Sequence, residues 1–142
     1  MTFVKAFIGL VLLVIILFFF LGLRSQKSTA KGLTDGSLAC TSNAPNCVSS
    51  VDDEQPEKSV PPLSGNMAQA KAAIAATGGT IMSESDSYIS ATYMSKIFKF
   101  VDDVEIVDAG EGRLNIRSSS RVGYSDRGVN KKRVTSIRDA LK

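Results

Sequence analysis

The residues with the most chemical potential lie in two places in the C-terminal part of the chain. Asp102 and Asp103 are adjacent carboxylates, and residues 117–133 bring arginines, serines and glycines together just before a predicted helix. Carboxylates can act as general acid and base. Backbone N–H groups at a helix N-terminus favour anions. The sequence therefore offers two chemical hypotheses, a hydrolase and an anion-binding module.

The adjacent aspartates do not form a facing catalytic dyad, because neighbouring residues of a strand point to opposite faces of a sheet. Asp102 shares a face with apolar neighbours, so it needs a charged or hydrogen-bonded partner. Asp103 and Glu105 share the other face, where we expect them to meet Arg117 and Arg113. Cross-strand ion pairs are therefore favoured over catalysis.

Residues 117–130 are compatible with a small anion site, such as one for a carboxylate or a lipid headgroup. Val129 and Asn130 stand where a nucleotide-binding loop requires Lys and Ser or Thr, which excludes that loop. A structural loop, in which Asp126 caps the helix and the arginines pair with the acidic strand, is favoured over the anion site. The residues assigned to the hypothetical anion site are Asp102, Arg117, Ser118, Ser120, Arg121, Asp126, Asn130 and Arg133.

The hydrolase hypothesis uses Asp102 or Asp126 as general acid or base, with an arginine stabilising the developing charge. The chain contains no histidine and two cysteines, which excludes histidine-dependent triads and a four-ligand zinc site. We assign no catalytic residue, metal ion or cofactor, and we expect a non-enzymatic module.

The N-terminal segment predicts a membrane anchor. Residues 6–23 form an uncharged apolar run, and a bilayer core takes about 20 helical residues. A cleaved signal peptide is the alternative, but its apolar region is usually about 7 to 15 residues long. The nearest small-x-small site, Ser28-Thr29-Ala30, follows two basic residues. We predict an uncleaved anchor over residues 1–23 and a flexible linker over residues 24–37.

Cys40 and Cys47 enclose a short loop with Pro and Asn, which allows a disulfide; two free thiols are the alternative. A disulfide requires an oxidising compartment. Residues 38–142 would then form an exported domain, in the periplasm or an equivalent lumen, with the membrane as its partner. The basic run has no interleaved aromatic platform, so we expect no nucleic acid partner. The sequence assigns no protein partner.

The exported domain shows an α+β pattern, and we predict three to five antiparallel strands covered by two helices. The first helix begins at Met67, with Ser64 or Asn66 as its N-cap, and ends at Gly78 and Gly79. Short strands follow over 80–84 and 88–94. A hairpin joins residues 101–107 to residues 113–117, and its apolar faces agree if Val104 opposes Ile116, Ile106 opposes Leu114 and Asp103 opposes Arg117. A second helix closes the chain, with Asn130 as its predicted cap.

The charge of the domain is divided along the sequence. Acidic residues outnumber basic ones over residues 52–111, whereas basic residues outnumber acidic ones over residues 113–142. The net charge of +3 at pH 7 comes from the anchor and its flank. The two halves of the domain are therefore expected to hold each other by charge.

Three blocks resemble the signature of the family called domain of unknown function 1499 (DUF1499). They are Cys40 with residues 45–50, residues 98–105 and residues 117–133. The resemblance covers Leu38 to Leu141, although Thr41 stands where many relatives carry proline. The family occurs in bacteria and in chloroplast lumens, so the resemblance agrees with the exported orientation that the cysteines indicate, and it assigns no activity. The family pattern falls on Cys40, Cys47, Asp102, Asp103, Arg117, Ser118, Ser120, Arg121, Gly123, Asp126, Gly128, Asn130 and Arg133.

Overall fold

The computed structural model describes residues 2–52 and 55–141. Met1, in the predicted anchor, and Asp53, Glu54 and Lys142, in the predicted exported domain, lie outside the described residues. The elements in chain order are α1 (Thr2–Lys27), β1 (Cys47–Ser49), β2 (Leu63–Ser64), α2 (Met67–Ala76), β3 (Thr80–Glu84), β4 (Tyr88–Met94), β5 (Val101–Asp108), β6 (Arg113–Ser120) and α3 (Val129–Ala140).

The N-terminal helix α1 has the length and composition of a membrane span. Its most apolar window has a mean hydropathy of 3.2, and 6% of that window is buried against the rest of the chain. A helix of this kind near the N-terminus is either a membrane anchor or a signal sequence. The apolar segment that the sequence predicts is therefore present as one helix.

One antiparallel sheet of six strands forms the centre of the domain. Its order is β1-β6-β5-β4-β3, and β2 also pairs with β6. The α+β class is confirmed, but the predicted range of three to five strands is too low. The added strands β1 and β2 have three and two residues, which is too short to show an alternating pattern.

Helices α2 and α3 cover one side of the sheet, called here the helix face. Apolar side chains from both helices and from the central strands make the core between them. The fully buried members include Ile74 of α2, Ile137 of α3 and Ile106 of β5. The two predicted covering helices are thus confirmed, and the period of two in the strands places the alternate residues on the opposite side.

The hairpin of β5 and β6 forms as predicted, but in a different register. Val104 lies opposite Ser118, Ile106 opposite Ile116, and Glu105 rather than Asp103 opposite Arg117. Asp108 lies opposite Leu114, so the turn is centred on Glu111 rather than on Gly110, and Gly110, Glu111 and Gly112 all have positive φ angles. Moving the centre by one residue moves the pairing by two. A shift of two leaves every side chain on its predicted face, so the apolar pattern fits both registers equally well.

Helix α2 confirms the predicted start at Met67 and selects Asn66 as the N-cap. The Asn66 side chain accepts a hydrogen bond from the Gln69 N–H at 3.0 Å, and the Gln69 side chain accepts one from the Asn66 N–H at 3.0 Å. This reciprocal capping box satisfies two N–H groups that the helix leaves free. Ser64, the other predicted cap, belongs to β2.

Replacing Asn66 with alanine is expected to lower the free energy of unfolding by about 1 kcal/mol, because the first turn of α2 loses its side-chain acceptor. Urea unfolding of the full chain in detergent, followed by circular dichroism, measures the change. Ser64→Ala is the matched control and should leave the unfolding midpoint in place. Equal midpoints for Asn66→Ala and Ser64→Ala would contradict the cap assignment.

The side of the sheet opposite the helices, called here the linker face, is covered by residues 25–39. Leu38 is buried, and its carbonyl accepts a hydrogen bond from the Ser49 hydroxyl at 2.8 Å. The last turn of α1 also belongs to this cover. A Cβ on Gly22 would lie 1.7 Å from the Phe98 carbonyl oxygen, so only glycine permits this approach of helix and loop.

Candidate functional site

The predicted site residues gather at one end of the sheet, where α1 meets the domain. This anchor end consists of residues 95–101, which lead into β5, and residues 120–130, which lead from β6 into α3. The Ser25 hydroxyl of α1 accepts a hydrogen bond from the Val101 N–H at 3.0 Å. Ser25 is fully buried, so the end of α1 is a packed part of the domain.

The most deeply buried charges are Glu105 and Arg117 on the linker face. Each side chain is 1% exposed, and the Arg117 guanidinium donates to the Glu105 carboxylate through Nε at 3.1 Å and through Nη2. The Tyr88 hydroxyl donates to the other carboxylate oxygen at 2.6 Å. Burial, together with this Glu105 carboxylate, raises the pKa of Tyr88 to about 12, so the phenol stays a donor.

Arg121 forms a second ion pair on the same face, with Asp103. Its Nε and Nη2 atoms donate to the two carboxylate oxygens at 2.9 and 2.7 Å, a bidentate arrangement that fixes both side chains. Arg117 was predicted to lie opposite Asp103, but it pairs with Glu105, and Asp103 pairs with Arg121. Arg113, the other predicted partner, is exposed at the turn and belongs to no ion pair of the described residues.

These two arginines also hold the end of α1 and the segment that follows it. Arg117 donates to the carbonyls of Gly32 and of Ala39, the latter at 2.8 Å. Arg121 donates to the carbonyls of Ser25, at 3.2 Å, and of Ser28. Backbone carbonyls of a segment without strand or helix partners need such donors. Each guanidinium therefore joins an acidic strand to the segment between the apolar helix and the domain.

The helix face carries a third ion pair, between Asp102 and Arg133, with Nη2 and Oδ2 2.7 Å apart. Arg133 also donates to the Ser118 hydroxyl at 3.2 Å and to the Asn130 side chain, and its guanidinium lies over the Tyr93 ring at 4.8 Å. Asp102 thus has the charged partner that its place beside apolar residues requires.

The sequence predicts Asn130 as the N-cap of α3, and this prediction is wrong. Asn130 lies inside the first turn and is fully buried, because its side chain holds the start of the helix onto the sheet. Its amide donates to the Asn46 carbonyl at 2.9 Å and to the Ser120 hydroxyl at 3.1 Å, and its oxygen accepts from the Ser118 hydroxyl at 2.6 Å. A buried amide needs hydrogen bonds at both of its polar atoms, and here the sheet and its loops supply them.

Asp126 supplies the capping that was expected of Asn130. Its carboxylate accepts from the N–H groups of Gly128, at 2.9 Å, and of Asn130, at 2.7 Å. Gly128 occupies the N-cap position with a left-handed backbone and offers no side-chain acceptor of its own. The structural alternative for this loop, in which Asp126 caps the helix and the arginines pair with the acidic strand, describes these contacts.

Cys40 and Cys47 form the predicted disulfide, with an S–S distance of 2.08 Å. The bridge lies beside the polar cluster, because Asn46 precedes Cys47 and donates from its side chain to the Gly123 carbonyl at 2.6 Å. The Asn46 carbonyl accepts from the Ser120 N–H at 2.9 Å as well as from Asn130. The disulfide therefore fixes one wall of the cluster.

The structure divides the predicted site residues between the two faces. Arg117 and Arg121 lie on the linker face, whereas Asp102, Ser118, Ser120, Asn130 and Arg133 lie on the helix face. Every buried side-chain nitrogen and oxygen of the described residues has a hydrogen-bond partner. Residues absent from the predicted site but joined to it are Asn46, Tyr88, Tyr93, Asp103 and Glu105.

Strand alternation was the signal for two of these additional residues, since it places Asp103 and Glu105 on one face. Three ion pairs join residues 102–105 to residues 117–133, which confirms that the acidic and basic halves of the domain hold each other by charge. Asn46 and Tyr88 carried no comparable signal, because their contacts depend on how distant segments pack.

Most of the chain is similar to a known protein family. A family model described as "Protein of unknown function (DUF1499)" matches residues 37–141, most of the chain. The chain belongs to the DUF1499 family. The predicted resemblance over Leu38 to Leu141 is thereby confirmed, and the matched region holds the three ion pairs between residues 102–105 and 117–133 as well as the disulfide. No curated protein and no solved structure matches the chain.

Several residues on which the predicted resemblance places the family pattern have structural roles in this chain. Asp103, Arg121 and Arg117 tie the sheet to the segment after α1, and Asp102, Asn130 and Arg133 tie α3 to the sheet. The cysteines close the loop beside them. The shared residues thus account for the assembly of the domain at its anchor end.

Proposed function

We propose that this DUF1499 protein is a non-catalytic, single-pass membrane protein whose exported domain lies on the bilayer surface and binds anionic phospholipid headgroups. The observation that carries the proposal is the charge of the anchor end, where cations without a carboxylate partner surround exposed apolar side chains. Charge and apolar surface together are what an anionic lipid–water interface attracts.

Retention of α1 is the first part of the proposal. Its last turn contributes the buried Ser25 and Gly22, and Arg121 binds the carbonyls of Ser25 and Ser28. Cleavage after Ala30 would remove all of these groups and leave the Val101 N–H without its partner. An uncleaved anchor therefore suits the packing of the domain, and the disulfide suits an oxidising compartment on the far side of the membrane.

The unpaired cations belong to two neighbouring segments of the anchor end. They are exposed, and none occurs in an ion pair of the described residues: Lys96, Lys99, Arg127, Lys131 and Lys132. Ile97, between the first two, is 69% exposed. The opposite end of the sheet carries acidic residues in its turns, namely Asp86, Asp108 and Glu111. This asymmetry would turn the basic end toward an anionic leaflet.

Geometry favours binding over hydrolysis. Asp102 is paired with Arg133, and Asp126 holds two N–H groups of the α3 start, so both candidate carboxylates serve the fold. A general acid or base exchanges a proton with the substrate, whereas these carboxylates are held by a guanidinium and by backbone N–H groups. The hydrolase hypothesis remains a prediction without an observation in its favour, so we base the function on the anchor end.

The test uses fluorescence, because the chain contains no tryptophan and Ile97→Trp adds a single probe. The full chain is placed in phosphatidylcholine nanodiscs with or without phosphatidylglycerol, and intact mass first verifies that α1 is retained. We expect brominated lipids to quench the fluorescence of the introduced tryptophan more strongly in anionic nanodiscs. High salt should weaken the difference, since the Debye length falls from about 10 Å at 0.1 M to about 3 Å at 1 M.

Charge reversal locates the interaction. Each lysine near an anionic surface contributes about 1 kcal/mol, so Lys131→Glu with Lys132→Glu should abolish the extra quenching. Arg113→Glu, at the opposite end of the sheet, is the control and should preserve it. Equal quenching in neutral and anionic nanodiscs would rule out headgroup binding, and loss of α1 from the mature protein would rule out the anchor.

A further inference from the structure

A cavity of about 360 Å³ lies at the anchor end, between α1 and the loops before β5 and after β6. Ligand pockets in proteins begin at about 300 Å³. Phe18 and Leu21 of α1 form one wall, and Phe100, Val122 and Val129 form the rest of the apolar lining. Because Phe18 and Leu21 lie in the apolar run of α1, this wall continues the surface that would face lipid chains.

The remaining wall of the cavity is polar and acidic. It contains serine hydroxyls and the carboxylates of Asp102 and Asp126, and the described lining contains no lysine or arginine. Arg133 neutralises Asp102. Asp126 accepts hydrogen bonds from backbone N–H groups and belongs to no ion pair of the described residues. The cavity therefore joins an apolar wall to one carboxylate that has no cationic side-chain partner among the described residues.

We propose that this cavity holds a single phospholipid with a primary ammonium headgroup, an inference that rests on the membrane anchoring in the proposed function. One acyl chain packs against Phe18, Leu21 and Phe100, and the ammonium group donates to the Asp126 carboxylate. The charge excludes an anionic headgroup from this wall. A trimethylated ammonium has no N–H to donate, so the same carboxylate distinguishes ethanolamine from choline.

Native mass spectrometry of the full chain, released from detergent micelles, tests the site. The probes are dioleoyl phosphatidylethanolamine, phosphatidylcholine and phosphatidylglycerol, added in turn. We expect one molecule of the ethanolamine lipid to be retained, with an affinity on the order of tenfold higher than that of the other two, the effect of one charge-assisted hydrogen bond. Equal retention of all three lipids would overturn the headgroup assignment.

Two variants test the polar wall and the apolar wall of the cavity separately. Asp126→Asn removes the charge and should bring ethanolamine lipid binding down to the level of phosphatidylcholine. Val129→Trp fills the apolar part and should reduce retention of every lipid. Tyr124→Trp is the control, because Tyr124 is 75% exposed and lies outside the lining. Unchanged retention in Val129→Trp would overturn the cavity as the binding site, even if Asp126→Asn fails to fold.

The outcomes distinguish this inference from the proposed function. Bromolipid quenching at position 97 depends on the basic residues outside the cavity, whereas lipid retention in the gas phase depends on its lining. Salt-dependent quenching without a retained lipid would overturn the cavity assignment alone. A retained ethanolamine lipid without any response to anionic nanodiscs would support the cavity and contradict the anionic surface.

Discussion

Replacing Arg117 with alanine is expected to lower the free energy of unfolding by about 3 to 5 kcal/mol, because it leaves the Glu105 carboxylate buried without its cation. Both side chains are 1% exposed, so water cannot replace the guanidinium. The carbonyls of Gly32 and Ala39 lose their donor as well. Urea unfolding of the full chain in detergent measures the loss, and hydrogen exchange over residues 28–39 should increase in the same variant.

Lys71→Ala provides the matched control. It breaks the ion pair between Lys71 and Glu84, and both of these side chains are about half exposed. Exposed pairs contribute at most about 1 kcal/mol, so this variant should unfold close to the wild type. Glu105→Leu combined with Arg117→Met should recover part of the stability lost in Arg117→Ala, because no unpaired charge remains at this position. Similar losses of unfolding free energy in Arg117→Ala and Lys71→Ala would contradict the larger contribution of the buried pair.

The regular elements could be predicted from the sequence where local rules decide them. The alanine-rich segment with Asn66 before it and Gly78 after it specifies α2, and alternating residues specify β4 and β5. The hairpin register could not be predicted from that alternation, because a shift of two residues leaves every side chain on the same face of the sheet. The turn conformation at residues 110–112 decides it.

The candidate site was predictable to the extent that it depends on strand faces. Alternation and opposite charge are sufficient to bring Glu105 toward Arg117. The carbonyl partners of Arg117 and Arg121 lie in residues 25–39, which have no periodic pattern, so composition gave no sign that they cover a sheet face. Asn130 has good N-cap chemistry, but burial against Asn46 and Ser120 gives it a different role.

The same covering segment suggests how the domain is positioned. A domain joined to a membrane by a free linker samples many orientations. Here Arg121 binds α1 at Ser25 and the sheet at Asp103 through one guanidinium, and Phe98 packs against Phe18 and Phe19. Both contacts fix the anchor end relative to α1, which is what the proposed surface binding and the lipid cavity require.

Breaking the Cys40–Cys47 disulfide is expected to lower the free energy of unfolding by about 2 to 3 kcal/mol, because the unfolded chain regains the freedom of a short loop. The cysteines are seven residues apart. Lys58 is buried and donates to the Ser42 carbonyl inside the loop at 2.7 Å, and Asp52 accepts from the Cys40 N–H at 2.9 Å. These bonds hold the loop in the folded state without the bridge, so Cys40→Ala with Cys47→Ala should still fold.

Reduction supplies the control for this variant within one chain. Dithiothreitol should shift the urea midpoint of the wild type to that of the double alanine variant, and it should leave the variant unchanged, because the sequence contains only these two cysteines. Asn46 links the disulfide to the start of α3, since it precedes Cys47 and its carbonyl accepts a hydrogen bond from the Asn130 side chain. Hydrogen exchange should therefore increase first at residues 120–130. Identical midpoints for oxidised and reduced wild type would show that the loop contacts alone hold this wall of the cluster.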